Sequence, residues 1–146
     1  MELAYGESSD IGMAAASLLP ISLDAQTAAP QPTAAPRADS ELARHALTGP
    51  FEGYEAVLTE VRVPPRQPSA STPQPGHHHS GFVVGYVLDG QLRFAINNEP
   101  ERVVSAGSTF FEPIGALHST SGSATDAPTR FLAFLVVPKG SPIVTR

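Results

Sequence analysis

Short apolar runs, each closed by Gly, Pro, Asn or Asp, follow one another along the chain from residue 54 onwards. The first, "YEAVLTEVRV", alternates, and its two faces are Glu55, Val57, Thr59, Val61 and Val63 on one side and Tyr54, Ala56, Leu58, Glu60 and Arg62 on the other. Alternation with β-branched residues predicts a strand. Six further runs follow at a spacing of about ten residues, which is the pattern of an all-β sandwich or barrel.

Two of the connections between these runs have the composition of tight turns. The sequence "LDGQ" predicts a hairpin in which Asp89 and Gly90 supply positive φ angles, and "INNEPER" predicts a second hairpin. The runs "VLDGQLRF" and "FLAFLVV" are apolar on nearly both faces. We therefore expect these strands to be buried between two sheets.

Residues 1–40 differ in composition from the rest of the chain. They contain ten Ala, four Pro and a single basic residue, Arg37. Such a low-complexity segment cannot bury a core, so the sequence predicts a flexible Ala/Pro-rich N-terminal arm over 1–40 and a folded domain over 41–146. The alternative is an arm that docks on a partner subunit through Leu18, Leu19, Ile21 and Leu23.

Charge and composition exclude several classes of function. The formal net charge is -5 and no basic cluster exists, which argues against a nucleic-acid partner. The absence of cysteine excludes disulfides, thiolate metal sites and a cysteine nucleophile. No run of 18 apolar residues predicts a membrane span. The apolar stretch near the N-terminus lacks the preceding positive charge of a secretory signal, so we expect a cytoplasmic protein.

Four of the five histidines fall at two places in the chain, namely His77, His78 and His79 and, about forty residues later, His118. In a strand, residues i and i+2 share a face, so His77 and His79 point the same way and His78 points oppositely. Two such imidazoles with a third from a neighbouring strand can hold one metal ion. Imidazole suits Zn, Fe, Ni, Cu and Mn.

The segments around these histidines resemble the two cupin motifs. The run from Gly107 to His118, "GSTFFEPIGALH", resembles the second motif, and the run from Gly76 to Gly90 resembles the first. In the first motif His77, His79 and Gly90 match, but Val83 stands where the family expects a glutamate. The Asn that often follows the second-motif histidine is replaced by Gly122. The chain is identified by this resemblance as a small single-domain cupin of the cupin-2, RmlC-like type.

The resemblance implies a fold and a metal site. The expected fold is all-β, a six-stranded double-stranded β-helix or jelly-roll barrel, with a divalent metal ion deep in its mouth. His77 and His79 would bind the ion from one strand and His118 from another. Small cupins commonly form homodimers, so a homodimer is expected here.

The missing carboxylate bears on the expected chemistry, because three neutral imidazoles leave the ion its full +2 charge. Three-histidine cupins include dioxygenases, which favours Fe(II), with Mn, Ni and Zn as alternatives. The function indicated is a metal-dependent enzyme acting on a small organic, aromatic or polyketide-like substrate. It would act as a dioxygenase or by Lewis-acid chemistry as an isomerase, decarboxylase, dehydratase or cyclase. A non-catalytic metal- or small-molecule-binding cupin is the alternative.

Further residues are candidates for the substrate pocket. Glu112 would be the catalytic residue, as a general base or as a hydrogen-bond partner of a ligand histidine. Val83, in the place of a ligand, would form an apolar wall. Thr120, two residues beyond His118, is expected to share its inward face. The remaining pocket candidates are the aromatic residues Tyr86, Phe94 and Phe110.

Overall fold

Strands dominate the computed structural model, which describes residues 36–66 and 75–146. One antiparallel sheet has the order β1 (Ala38–Ala46), β2 (Tyr54–Val63), β9 (Thr129–Pro138), β4 (Phe82–Asp89), β7 (Thr109–Glu112). The second has the order β10 (Val144–Thr145), β3 (His77–His79), β8 (Leu117–Ser123), β5 (Gln91–Ile96), β6 (Arg102–Ser105). A 3-10 turn, Gly49–Phe51, joins β1 to β2. The all-β jelly-roll prediction is confirmed, although the described sheets have five strands each rather than six strands in all. Within the described ranges, no helix is long and apolar enough to cross a membrane.

The inward faces of the first sheet follow the alternation read from the sequence. Val57, Thr59, Val61 and Val63 of β2 are all buried, and the strand predicted from this alternation is present. The prediction for "FLAFLVV" in β9 is wrong, because this strand also alternates and the outward Phe134 is 40% exposed. One face of this sheet packs on the core, and the other face carries apolar side chains that are exposed in the described part of the chain.

The chain changes sheets at Gly90, where a hairpin had been predicted. The positive φ of 78° at Gly90 is present, but β4 lies in the first sheet and β5 in the second, so the two strands do not pair. The physical reason is that a turn sequence determines where the chain reverses direction. It does not determine which strand the following segment pairs with. The second predicted hairpin is confirmed, because β5 pairs with β6 from Gln91–Ser105 to Phe94–Arg102.

The folded domain begins earlier than the predicted boundary at residue 41. Ala38, Asp39 and Ser40 belong to β1, paired with Arg62 to Glu60 of β2. Residues 1–35 of the predicted arm, with its four candidate docking residues, lie outside the described residues, as does the part of the proline-rich connection from 67 to 74. The homodimer stays a prediction.

The core between the sheets is closely packed around Phe110. Its ring centroid lies 4.8 Å from that of Phe94 and 5.4 Å from that of Phe131. A Cβ added at Gly85 would lie only 2.0 Å from the Phe110 ring. The absence of a side chain at Gly85 therefore gives the ring its space.

We expect Gly85→Ala to lower the free energy of unfolding by about 1–3 kcal/mol, the usual cost of overpacking a core. Gly122→Ala is the matched control, because a Cβ there meets nothing within 4 Å and the backbone φ is not positive. Urea unfolding followed by circular dichroism measures both. Equal stability of the two variants would contradict this account of the core.

Candidate metal centre

Three histidines of the second sheet bring their ring nitrogens together. His77 in β3 is paired directly with His118 in β8, and His79 follows two residues later on the same side of β3. One nitrogen of each ring lies within 4.8 Å of the others. The predicted grouping of His77, His79 and His118 is therefore present, and it could hold a metal ion.

The nitrogens of His77 and His79 have the spacing of neighbouring metal ligands. Their Nε2 atoms are 3.2 Å apart. Two nitrogens that each lie about 2.1 Å from one ion are separated by roughly 3.0–3.4 Å. His79 Nδ1 lies 2.8 Å from the carbonyl oxygen of Ile143, to which it can donate its proton. That bond would fix the ring and leave the Nε2 lone pair directed into the cavity.

His118 is the most deeply buried of the three histidines. Its side chain is 3% exposed, and neither ring nitrogen has a hydrogen-bond partner among the residues that the structure describes. A buried polar atom without a partner is costly, and a bound cation removes that cost. The donor set therefore fits a divalent metal ion.

Burial keeps the three rings in the form that binds metal. Desolvation, with the neighbouring His79, lowers the pKa of His77 to about 4. Desolvation, followed by the charges of His77 and His79, lowers the pKa of His118 to about 3. Desolvation also lowers the pKa of His79. Neutral imidazoles with free lone pairs are therefore present at neutral pH.

A carboxylate from the first sheet faces the histidines across the cavity. Glu112 of β7 is 2% exposed; its Oε1 lies 3.1 Å from His118 Nδ1 and its Oε2 lies 3.5 Å from His79 Nε2. Burial raises the pKa of Glu112 to about 7, against a smaller lowering by Arg37. Glu112 is paired directly with Val83 of β4, and both side chains are buried on the cavity side.

The histidines and Glu112 line a cavity of about 160 Å³. Apolar side chains form much of its wall, among them Val61, Val83, Phe131, Ala133 and Leu135. Charged residues from both ends of the described chain also line it, namely Arg37, Asp39 and Arg146. Sequence reasoning did not identify these three residues as part of the site. The only signal in the sequence is that Arg37 is the one basic residue of a low-complexity segment.

Four of the predicted pocket residues do not line this cavity. Tyr86 is 44% exposed, because it lies on the outward face of β4. Phe94 and Phe110 are buried in the core behind the site, where the Phe94 ring centroid lies 5.1 Å from that of His118. Thr120 was expected beside His118, but a register shift between Ala95 and Ile96 interrupts the pairing of β5 with β8. Consequently Ser119 and Ser121, rather than Thr120, line the cavity with His118.

His78, between the two candidate ligands, points away from the site. Its Nδ1 lies 3.1 Å from the carbonyl oxygen of Ala116, in the loop that leads into β8. The alternation expected for the three consecutive histidines is thus observed, and His78 supports the neighbouring loop.

Comparison with known proteins agrees with this architecture. A family described as Cupin domain matches residues 60–137, which include all three histidines. No curated protein matches the chain.

Several solved structures share the fold. The DMSP lyase DddQ from Ruegeria pomeroyi is 22% identical with a TM-score of 0.56, over 75% of this chain and 51% of its own. The chain thus spans about half the length of DddQ. A double-stranded β-helix protein from Klebsiella pneumoniae is 15% identical with a TM-score of 0.57, over 80% and 90% of the two chains. The polyketide cyclase RemF from Streptomyces resistomycificus is 25% identical with a TM-score of 0.51, over 81% of this chain and 75% of its own.

Proposed function

Because this chain belongs to the cupin domain family and groups three histidines in its cavity, we propose that it is a metal-dependent enzyme acting on a small organic substrate. The convergence of three neutral, partly or fully buried imidazoles on one point carries this proposal. If the histidines had only a structural role, the two buried ring nitrogens of His118 would be expected to have hydrogen-bond partners. Among the described residues they have none. The ion we favour is Fe(II), with Mn, Ni or Zn as alternatives, since imidazole suits all four.

A divalent ion held by His77, His79 and His118 would polarise a substrate oxygen and, as Fe(II), would also support the activation of O2. Other residues of the chain would orient a ligand and limit the access of water to the ion. The bond from His79 to the Ile143 carbonyl orients one ligand, and the apolar wall around Val83 and Leu135 limits the access of water. Low polarity around the ion strengthens its effect on a bound oxygen.

The cavity favours a substrate with a small reacting part. A volume of about 160 Å³ is close to the roughly 150 Å³ of an engineered apolar cavity that binds benzene. One ring or a short chain therefore fits beside the histidines, and the rest of a larger aromatic or polyketide-like substrate would extend through the mouth. Arg37 at the cavity wall also donates to Ser121 Oγ over 3.1 Å, which fixes a cationic group there.

Lewis-acid chemistry without O2 is the second candidate. Two proteins that share the fold are a DMSP lyase and a polyketide cyclase. In this chemistry the ion alone would polarise the substrate oxygen, and no oxidant would be consumed.

Turnover by the metal-loaded protein, assayed with and without O2, separates these functions. Fe(II)-loaded protein is expected to consume O2 with a diketone, catechol or thiol substrate, whereas metal-free protein is inactive. Turnover that persists with Zn or Mn under anaerobic conditions would support the second candidate instead. Tight ligand binding without product under either condition would show a non-catalytic binding protein and contradict both.

A further inference from the structure

We propose that Glu112 is the fourth protein ligand of the metal ion, so that strand β7 supplies the carboxylate that the first motif lacks at Val83. The inference rests on the proposed metal site and adds a residue that sequence reasoning treated only as a base or a hydrogen-bond partner. Its support comes from strand register, from contacts and from the absence of any other ion-pair partner for the carboxylate among the described residues.

Strand register places the two positions side by side. Val83 of β4 and Glu112 of β7 are direct partners in an antiparallel pair, and both are buried on the cavity side, with exposures of 1% and 2%. Side chains of such a pair leave the sheet about 4.5–5.5 Å apart at Cβ. A glutamate has enough rotatable bonds to reach one point in the cavity from either position.

The contacts of Glu112 match those expected of a ligand. Its two oxygens lie 3.1 Å and 3.5 Å from nitrogens of His118 and His79, and His77 and His79 are 3.2 Å apart. These separations resemble those between neighbouring ligands of one ion, roughly 3 Å. The carboxylate therefore approaches two of the three imidazoles, although the three histidine nitrogens that lie within 4.8 Å of one another form a group without it.

Other roles for the carboxylate fit the contacts less well. A carboxylate that orients a histidine accepts its N–H proton, but His118 Nδ1 has no hydrogen-bond partner although Glu112 is 3.1 Å away. The carboxylate thus lies off the N–H direction. Glu112 Oε2 also lacks a hydrogen bond. Among the described residues no Lys or Arg lies within 4.0 Å of this buried carboxylate, and its only ion-pair contacts are those with His79 and His118. Buried carboxylates are normally paired or bound to a metal.

The consequence concerns the charge at the site. A three-histidine site leaves the ion with its full +2 charge, whereas three histidines and one carboxylate reduce the net charge by one. The chain would then have the donor set of a cupin with a first-motif glutamate, with the carboxylate entering from a neighbouring strand. We infer from this that the absence of glutamate at Val83 does not imply weak metal binding.

Metal affinity of four proteins tests the proposal, measured by competition between the protein and a chelator for Mn(II). Glu112→Gln is expected to weaken binding more than about 100-fold, which exceeds the 10–100-fold typical of losing an outer hydrogen-bond partner. The exchange variant Val83→Glu/Glu112→Val restores the carboxylate from the adjacent strand and is expected to bind within about tenfold of wild type. Glu99→Gln, at an exposed position, is the control and should bind as wild type does.

A second readout is the visible spectrum of the Co(II)-loaded proteins, which reports the ligands directly. It should change in Glu112→Gln and return towards that of wild type in the exchange variant. Unchanged Mn(II) affinity and an unchanged Co(II) spectrum in Glu112→Gln would overturn the proposal while leaving the three-histidine site intact. Wild-type protein that binds no Mn(II) would overturn the proposed function as well.

Discussion

Replacing His77 and His118 together by alanine is expected to reduce bound metal from about one equivalent to less than about one tenth of an equivalent. These residues are paired across β3 and β8, so the double substitution removes facing ligands from two strands at once. Most of the bound metal is lost because the one imidazole and one carboxylate that remain are too few ligands to hold the ion. Elemental analysis of protein purified without an added histidine tag measures it.

The stability of the same variant provides an independent readout. A ligand that binds only the folded state stabilises it by about 2.7 kcal/mol when present at 100 times its dissociation constant. Metal should therefore raise the melting temperature of the wild type and leave that of His77→Ala/His118→Ala unchanged. His45→Ala, on the exposed face of β1, is the control and should behave as wild type does. Equal metal content in all three proteins would refute the site.

The second large effect is expected at Phe94, directly behind the metal site. Its ring is 2% exposed and lies against those of Phe110 and His118, with centroid distances of 4.8 Å and 5.1 Å. Truncating a buried phenylalanine leaves a cavity that the surrounding sheets cannot fill. Phe94→Ala should therefore lower the free energy of unfolding by about 3–5 kcal/mol, as measured by denaturant titration.

Phe111→Ala is the matched control for this prediction. Phe111 lies on the outward face of β7 and is 53% exposed, so its loss should cost less than about 1 kcal/mol. Because Phe94 supports the His118 ring, its truncation should also weaken metal binding, whereas Phe111→Ala should not. A similar stability loss in both variants would contradict the assignment of Phe94 to the core.

Features that depend on local sequence could be predicted. The three candidate metal ligands could be predicted from the two motifs, because each motif fixes the position of its histidines relative to a short strand and a turn. Gly90 adopts the positive φ angle predicted for the turn after β4, whereas Asp89 does not. The alternating face of β2 also followed directly from its sequence.

Features that depend on which strands pair could not be predicted. The position of Glu112 beside Val83 requires the pairing of β4 with β7, and nothing in either segment specifies that partner. The register shift in β8 that removes Thr120 from the cavity is equally invisible in the sequence. Arg37 and Arg146 line the cavity beside β1 and β10, which are edge strands of the two sheets, and the sequence does not specify those positions.

Anomalous diffraction from crystals of the Mn(II)-loaded protein tests most directly whether the three imidazoles bind one ion. The account predicts a single strong peak between the rings of His77, His79 and His118, within about 2.0–2.3 Å of a nitrogen of each. A peak elsewhere in the domain, or no peak in crystals that contain the intact histidines, would contradict it.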